Sequence, residues 1–233
     1  MCIRDRYGIP IKNIEIRKTL DGRECDLIEG LHSNQKLLVV SDPFTHKAMG
    51  SRIFKNLKSK INVDEFIWEQ PSSSIEGVQF LRTKLKDYDG MIAVGSGTVS
   101  DSIKYATFLE DKVYSVFATT PMNAYTTGTA SISFDGIKKS LVAHYAQGVF
   151  FDLEVLSNCP KRLTAAAFAD VICRTTAQVD WLMSHKLLNT DYKTTPYELL
   201  ALYEMDMINN ASDIAAGKID SLALLTLISA IMG

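Results

Sequence analysis

Residues 95–101, GSGTVSD, carry the densest chemical signal in the chain. Gly95 and Gly97 let the backbone turn sharply and let a ligand come close to it. A helix that starts directly after them points free N–H groups and a partial positive charge outward, which suits a pyrophosphate. Ser96 and Thr98 add hydroxyl donors, and Val99 and Asp101 complete the segment. The spacing is neither the Rossmann GxGxxG nor a P-loop, and it also fits a plain strand-to-helix turn. Asp42 ends an apolar run, KLLVVS. At the C-terminal edge of a neighbouring parallel strand, its carboxylate would accept hydrogen bonds from ribose hydroxyls; as a turn residue before Pro43 it needs no ligand. The segment ATTPMNAYTT brings Thr119, Thr120, Asn123 and Thr127 to a third strand end. Hydroxyls and an amide suit a cofactor or polyol, and equally a loop held by its own side-chain-to-backbone bonds.

A single carboxylate, Asp170, stands in the small and apolar stretch KRLTAAAFADVI. Burying it is costly without compensation. A divalent cation would compensate, and so would Arg174 at i+4. A catalytic zinc takes three protein ligands and keeps one position open. His32, His46, His144 and His185 form no HxxxH or HExxH pair. On one continuous helix, His185 would lie about 22 Å from Asp170. If Asp170 is a ligand, its partners are not evident.

The elements that must position these residues alternate through the first two thirds of the chain. NIEIR (13–17), KLLVVS (36–41), a short run at 65–68, GMIAV (90–94), 113–118 and GVFFD (148–152) are predicted strands. Helical spacing covers 45–60, 72–86 with serines at its start, and 100–109. Residues 131–137 predict a hairpin around Asp135-Gly136. A βαβαβ order implies a parallel sheet with helices on both faces. After Cys159-Pro160 no strand is expected: 163–185 predicts one long helix, Thr195-Pro196 opens another, and 219–232 forms the last. The expected class is α/β, a Rossmann-like sheet domain over 1–157 and an incomplete all-helical domain over 158–233.

Composition narrows the function. The chain has 233 residues, with 25 basic against 27 acidic and no basic stripe, so no nucleic-acid partner is expected. The dispersed cysteines Cys2, Cys25, Cys159 and Cys173 form no CxxC, which makes a reducing cytoplasm the default. Residues 1–6 lack the apolar core of a signal peptide and read as a scar of assembly. The apolar run 222–232 is too short to span a bilayer, so no membrane insertion is expected. That run is apolar around most of its circumference. Partial exposure and self-association, a homo-oligomer included, are the expected consequences.

Residues 95–105, GSGTVSDSIKY, resemble the cofactor loop of sn-glycerol-1-phosphate dehydrogenases, within the superfamily of iron-containing alcohol dehydrogenases, glycerol dehydrogenases and dehydroquinate synthases. PMNAY (121–125), DLEVL (152–156), PKRLTAAAFAD (160–170) and Asp180-Trp181 agree with that family in order and spacing. The resemblance implies NAD or NADP in a cleft between two domains. Asp42 would hold the adenosine ribose, residues 95–99 with Asp101 the pyrophosphate, and Thr119, Thr120 and Thr127 the nicotinamide side. Asp170 would be the catalytic aspartate that binds both metal and substrate, with zinc the usual ion and nickel or iron others. The implied reaction interconverts glycerone phosphate and sn-glycerol 1-phosphate, a step toward ether-lipid backbones, and the implied partner is a small phosphorylated polyol. Asn123 stands where many members carry a substrate-contacting aspartate, and Ala169 replaces a common glycine. The chain stops where the family's histidine motif would follow, so it is expected to be an N-terminal fragment. A dehydroquinate-synthase-like lyase and a non-catalytic nucleotide-binding fragment are the alternatives.

Overall fold

The computed structural model describes residues 11–232, so the opening stretch 1–6 lies outside the described residues. The first half contains β1 (Asn13–Arg17), α1 (Glu24–Glu29), β2 (Leu37–Ser41) and α2 (Pro43–Thr45). A π-helical turn (His46–Gly50) leads from α2 into α3 (Ser51–Lys58). Next come β3 (Val63–Ile67), α4 (Ile75–Leu85), β4 (Gly90–Gly95), α5 (Gly97–Leu109) and β5 (Val113–Ala118). A 3-10 turn (Asn123–Tyr125) precedes the hairpin of β6 (Thr129–Phe134) and β7 (Ile137–Val142), and β8 (Gly148–Asp152) follows. The remainder is helical: α6 (Leu153–Ser157), α7 (Lys161–Ile172), α8 (Arg174–Leu188), α9 (Thr195–Asn209), α10 (Ala211–Ala215) and α11 (Ile219–Met232).

Six strands form one sheet in the order β1-β8-β5-β4-β2-β3, and every pairing is parallel. Strands β2, β4 and β8 are buried at every residue, which is why their sequences are apolar runs without alternation. On one face Met49, Ile53 and Leu57 pack over Leu37, Val39, Ile92 and Val94. On the other, Val78, Leu81, Val99 and Ile103 pack over Leu38, Val40, Met91 and Ala93. The helices that follow β2 and β4 therefore leave toward opposite faces. That divergence opens a crevice at the C-terminal ends of the two strands, the place where open α/β sheets bind ligands.

The hairpin turn is the expected Asp-Gly: Asp135 and Gly136 have φ of 49° and 80°. Two positive φ values match the right-handed twist of the flanking strands.

The single long helix expected over 163–185 is instead two, α7 and α8, separated at Cys173. Cys173 turns with ψ −9°, and Arg174 buries its side chain against α9, donating to Tyr197 O at 3.3 Å and to Glu204. The break places the Arg174 guanidinium against α9, a tertiary contact that no 3.6-residue pattern reports. In α11 one face is buried through Leu222, Leu225 and Ile228, in the same cluster as Tyr125 and Phe151 of the sheet region. The other face leaves Leu227 42% and Ile231 46% exposed. Among the described residues no helix is long and apolar enough to cross a membrane.

Candidate functional site

Parallel register sets the site. Ser41 pairs with Val94 and Gly95 with Ala118, so Asp42, Ser96 and Thr119 follow three adjacent strand ends. Two adjoining cavities open there, of about 600 and 740 Å³, and both are lined by Ser96 and Leu163. Asp42, Phe44, Thr119, Thr120, Glu154 and Cys159 border the first, which is mostly apolar. Gly97, Thr98, Asp101, Asn123, Thr127 and Asp170 border the second, together with the cations Lys138 and Arg162.

Asp42 Oδ1 accepts from Phe44 N at 2.8 Å and Thr45 N at 2.9 Å, and Thr45 Oγ1 accepts from Asp42 N in return. This is a capping box that starts α2. Asp42 is thus both the helix cap and a wall of the cleft, and its second carboxylate oxygen has no hydrogen bond among the described residues. Ser96 is the N-cap of α5 and makes no side-chain cap bond, so the first turn of that helix is left for other acceptors.

The two glycines have different reasons. A Cβ on Gly95 would meet Val99 Cβ at 2.9 Å, so packing of strand on helix requires the glycine. A Cβ on Gly97 would meet nothing within 4 Å. Protein packing therefore does not explain Gly97, and its open space faces the cleft that it lines.

Tyr125 and Lys104 hold these loops, and neither was singled out from the sequence as a site residue. Tyr125 is fully buried; its hydroxyl donates to Gly95 O at 3.1 Å and lies 2.5 Å from Thr120 Oγ1. Burial pushes its pKa well above the ordinary tyrosine range, so it stays a neutral hydroxyl bridge between two strand ends. Lys104 Nζ donates to Ala124 O at 2.6 Å, Thr129 O at 2.9 Å and Thr127 Oγ1 at 3.1 Å, and lies 3.5 Å from Asp101 Oδ1. Asp101 Oδ2 accepts from Ser131 N at 3.2 Å. Asp101 and Thr127 thus spend their polar atoms on protein partners and shape the cleft. Burial pushes the Asp101 carboxyl up and the Lys104 ammonium down, and their mutual attraction opposes both shifts. The sequence signal for this pair was the spacing of an aspartate and a lysine at i and i+3 at the start of a helix.

Asp170 and Asn123 come together on the wall of the second cavity although 47 residues separate them in sequence. Arg174 does not neutralise Asp170, since its guanidinium is committed to Glu204 and Tyr197 O. Asn123 uses its backbone O toward Thr126, and its side-chain amide has no partner among the described residues. Val99, also expected at the cofactor, is fully buried and lines neither cavity. Among the described residues no group of three or more His, Cys, Asp or Glu could hold a metal ion. One open carboxylate does not make a metal centre, so no catalytic step is assigned to a metal within these residues.

The comparisons agree with this architecture. Residues 15–160 match the sequence family described as iron-containing alcohol dehydrogenase. The chain is 28% identical over 192 residues to a glycerol-1-phosphate dehydrogenase, NAD(P)+, of Geobacillus thermodenitrificans, covering 79% of this chain and 48% of that protein. It is 28% identical over 210 residues to the enzyme of the same name from Pyrococcus horikoshii, covering 89% and 60%. The chain thus spans about half the length of the curated relatives it matches. An iron-containing alcohol dehydrogenase from Thermotoga maritima superposes with a TM-score of 0.75 at 17% identity, covering 96% of this chain and 66% of that one. Glycerol dehydrogenase from Schizosaccharomyces pombe gives 0.73 at 15% identity, covering 96% and 60%. These structural likenesses establish the fold. With the crevice at the diverging strand ends and a family match over residues 15–160, which takes in nearly all of the sheet, the chain belongs to the iron-containing alcohol dehydrogenase family.

Proposed function

We propose that this chain carries the dinucleotide half of an NAD(P)-dependent oxidoreductase that interconverts glycerone phosphate and sn-glycerol 1-phosphate. The carrying observation is the crevice at the ends of β2, β4 and β5, where Gly97 leaves open space at the start of α5. The names of the matched relatives support the choice of substrate. Bound there, a nicotinamide ring would accept or return a hydride. The chain's own residues bind and orient. The first turn of α5 offers N–H groups to the pyrophosphate, the free oxygen of Asp42 accepts from a ribose hydroxyl, and Asn123 and Asp170 face the polar cavity where a substrate would lie.

Gly97→Val tests this. No protein atom lies within 4 Å of a Cβ at that point, and a helix accepts valine better than glycine. The thermal midpoint should stay the same or rise, while the Kd for NADH by calorimetry rises about tenfold or more. An unchanged Kd in a stable variant would remove Gly97 from the cofactor site. NADH binding to the original chain is the prior requirement.

The same proposal covers self-association. Leu187 and Leu188 on α8 are each 74% exposed and Leu202 on α9 is 70% exposed. Apolar surface of this kind drives association in water. Sedimentation of the 233-residue chain should show a mass that grows with concentration, and Leu188→Glu with Leu202→Glu should reduce it. A concentration-independent monomer would contradict this.

A further inference from the structure

The cleft keeps its cations on one side. Its apolar cavity carries the acids Asp42 and Glu154 and no cation, whereas the polar cavity is lined by Lys138 and Arg162 beside two carboxylates, Asp170 and Asp101, the latter 3.5 Å from the buried Lys104 ammonium. Neither cation is required by the fold. Both are exposed, and Arg162 makes no hydrogen bond or ion pair among the described residues. Lys138 stands on β7 opposite Ser133 and forms no ion pair within contact distance. Its side chain lines the polar cavity, on the cleft side of the hairpin. Arg162 lies in the first turn of α7 and Asp170 two turns later on the same helix, about 12 Å along its axis. Both side chains line the polar cavity, so the two charges border it from one helix.

A pyrophosphate is already provided with the first turn of α5. Lys138 and Arg162 make no hydrogen bond or close ion pair among the described residues, although Asp101 and Asp170 line the same cavity, and so both can reach a second anion. A guanidinium fork and an ammonium together match a phosphate monoester, which carries close to two charges and three acceptor oxygens. Ser140, one strand position on from Lys139, lines the same cavity and adds a hydroxyl.

We infer that Lys138 and Arg162 bind the phosphate of the substrate and so select a phosphorylated polyol over a free polyol. This rests on the proposed dinucleotide site and adds the residues that set substrate class. The alternative source of the anion is the dinucleotide itself, and the test separates the two.

The experiment compares the chain with a Lys138→Met/Arg162→Met double variant and with Arg162→Lys. Each is titrated calorimetrically with sn-glycerol 1-phosphate, with glycerol and with NADH, the first two with and without saturating NADH. The original chain should bind sn-glycerol 1-phosphate about tenfold or more tightly than glycerol. The double variant should lose that advantage, keep its thermal midpoint and bind NADH within about twofold of the original. Arg162→Lys should recover only part of the affinity, because a lysine keeps the charge without the fork. Unchanged sn-glycerol 1-phosphate affinity in the double variant overturns the inference. So does an original chain that binds glycerol as tightly or binds no sn-glycerol 1-phosphate. A parallel loss of NADH affinity overturns it too, by assigning the pair to the dinucleotide. Failure of the original chain to bind NADH would instead sink the dinucleotide proposal. The phosphate arms without NADH would still decide the role of the pair.

Discussion

Replacing Arg52 by methionine is expected to cost about 3–5 kcal/mol of folding stability, because it strands two buried carboxylates. Glu24 and Asp152 are both fully buried, and Arg52 on α3 lies between them. Its Nε is 3.1 Å from Glu24 Oε1, and its second terminal nitrogen is 2.5 Å from Asp152 Oδ2. Asn56 donates to the other Glu24 oxygen at 3.1 Å, and Leu20 N donates to Asp152 Oδ2 at 3.1 Å. These bonds satisfy oxygens but supply no positive charge. Arg52 itself keeps 28% of its side chain exposed, which places the loss toward the lower part of the range. The effect reaches the cleft. Asp152 Oδ1 caps α6 by accepting from Glu154 N and Val155 N, and both of those residues line the first cavity. Urea denaturation should therefore show a lower midpoint, and NADH binding should weaken even below the unfolding transition. Adding Glu24→Gln to the methionine variant removes one stranded charge and should restore part of the loss, a coupling of about 1 kcal/mol or more. Additive losses in that cycle would mean the three groups act independently.

Lys104→Met should be about as damaging, with a loss that depends on pH. The lysine side chain has no solvent exposure and holds Ala124, Thr127 and Thr129 to α5 through its ammonium. Without it, three acceptors and the Asp101 carboxylate lose a partner. The sign follows from the two shifts. Asp101 is raised, so its folded form holds a proton more tightly than the unfolded chain, and losing Lys104 raises it further. Stability of the variant therefore falls as pH rises through the window between the ordinary aspartate value and that raised value. Lys104 is lowered, so between its lowered value and the ordinary lysine value the unfolded chain holds more protons. The original chain therefore gains relative stability as pH rises through that second window. Both contributions have one sign. The gap between original chain and variant is smallest in acid and widens toward alkaline pH, as chemical denaturation across the pH range would show. A gap that narrows with rising pH would mean that the Lys104–Asp101 pair is not the origin of the loss.

Much of the architecture was legible from local chemistry. Runs such as LLVVS and GMIAVG are apolar without alternation because both faces of a parallel strand are covered, so their length and bounding residues identify them. Asp135-Gly136 dictates its hairpin, Pro196 the start of α9, and Gly95 with Gly97 the strand-to-helix turn. Each of these depends on atoms within a few residues, which is why sequence alone determined them. The parallel class also followed from sequence, because alternating strand and helix leaves few ways to bury both faces.

Tertiary structure decided what lies far apart in the chain. Only the strand order β1-β8-β5-β4-β2-β3 makes the ends of β2, β4 and β5 neighbours, and only the placing of α7 puts Asp170 on the same cavity wall as Asn123. Arg174 could have paired with Asp170 on one helix; the position of Glu204, 30 residues on, gave it a different partner, and the expected long helix is two helices that meet at Cys173. The sequence likewise contained Lys104, Arg52, Lys138 and Arg162 as four ordinary surface-type residues. Burial turned the first into a loop anchor and made the second the counter-charge of two acids. An open, polar cavity wall left the last two unpaired. A charge's role depends on the dielectric around it and on the charges within a few ångströms, and those are set only when distant segments pack together.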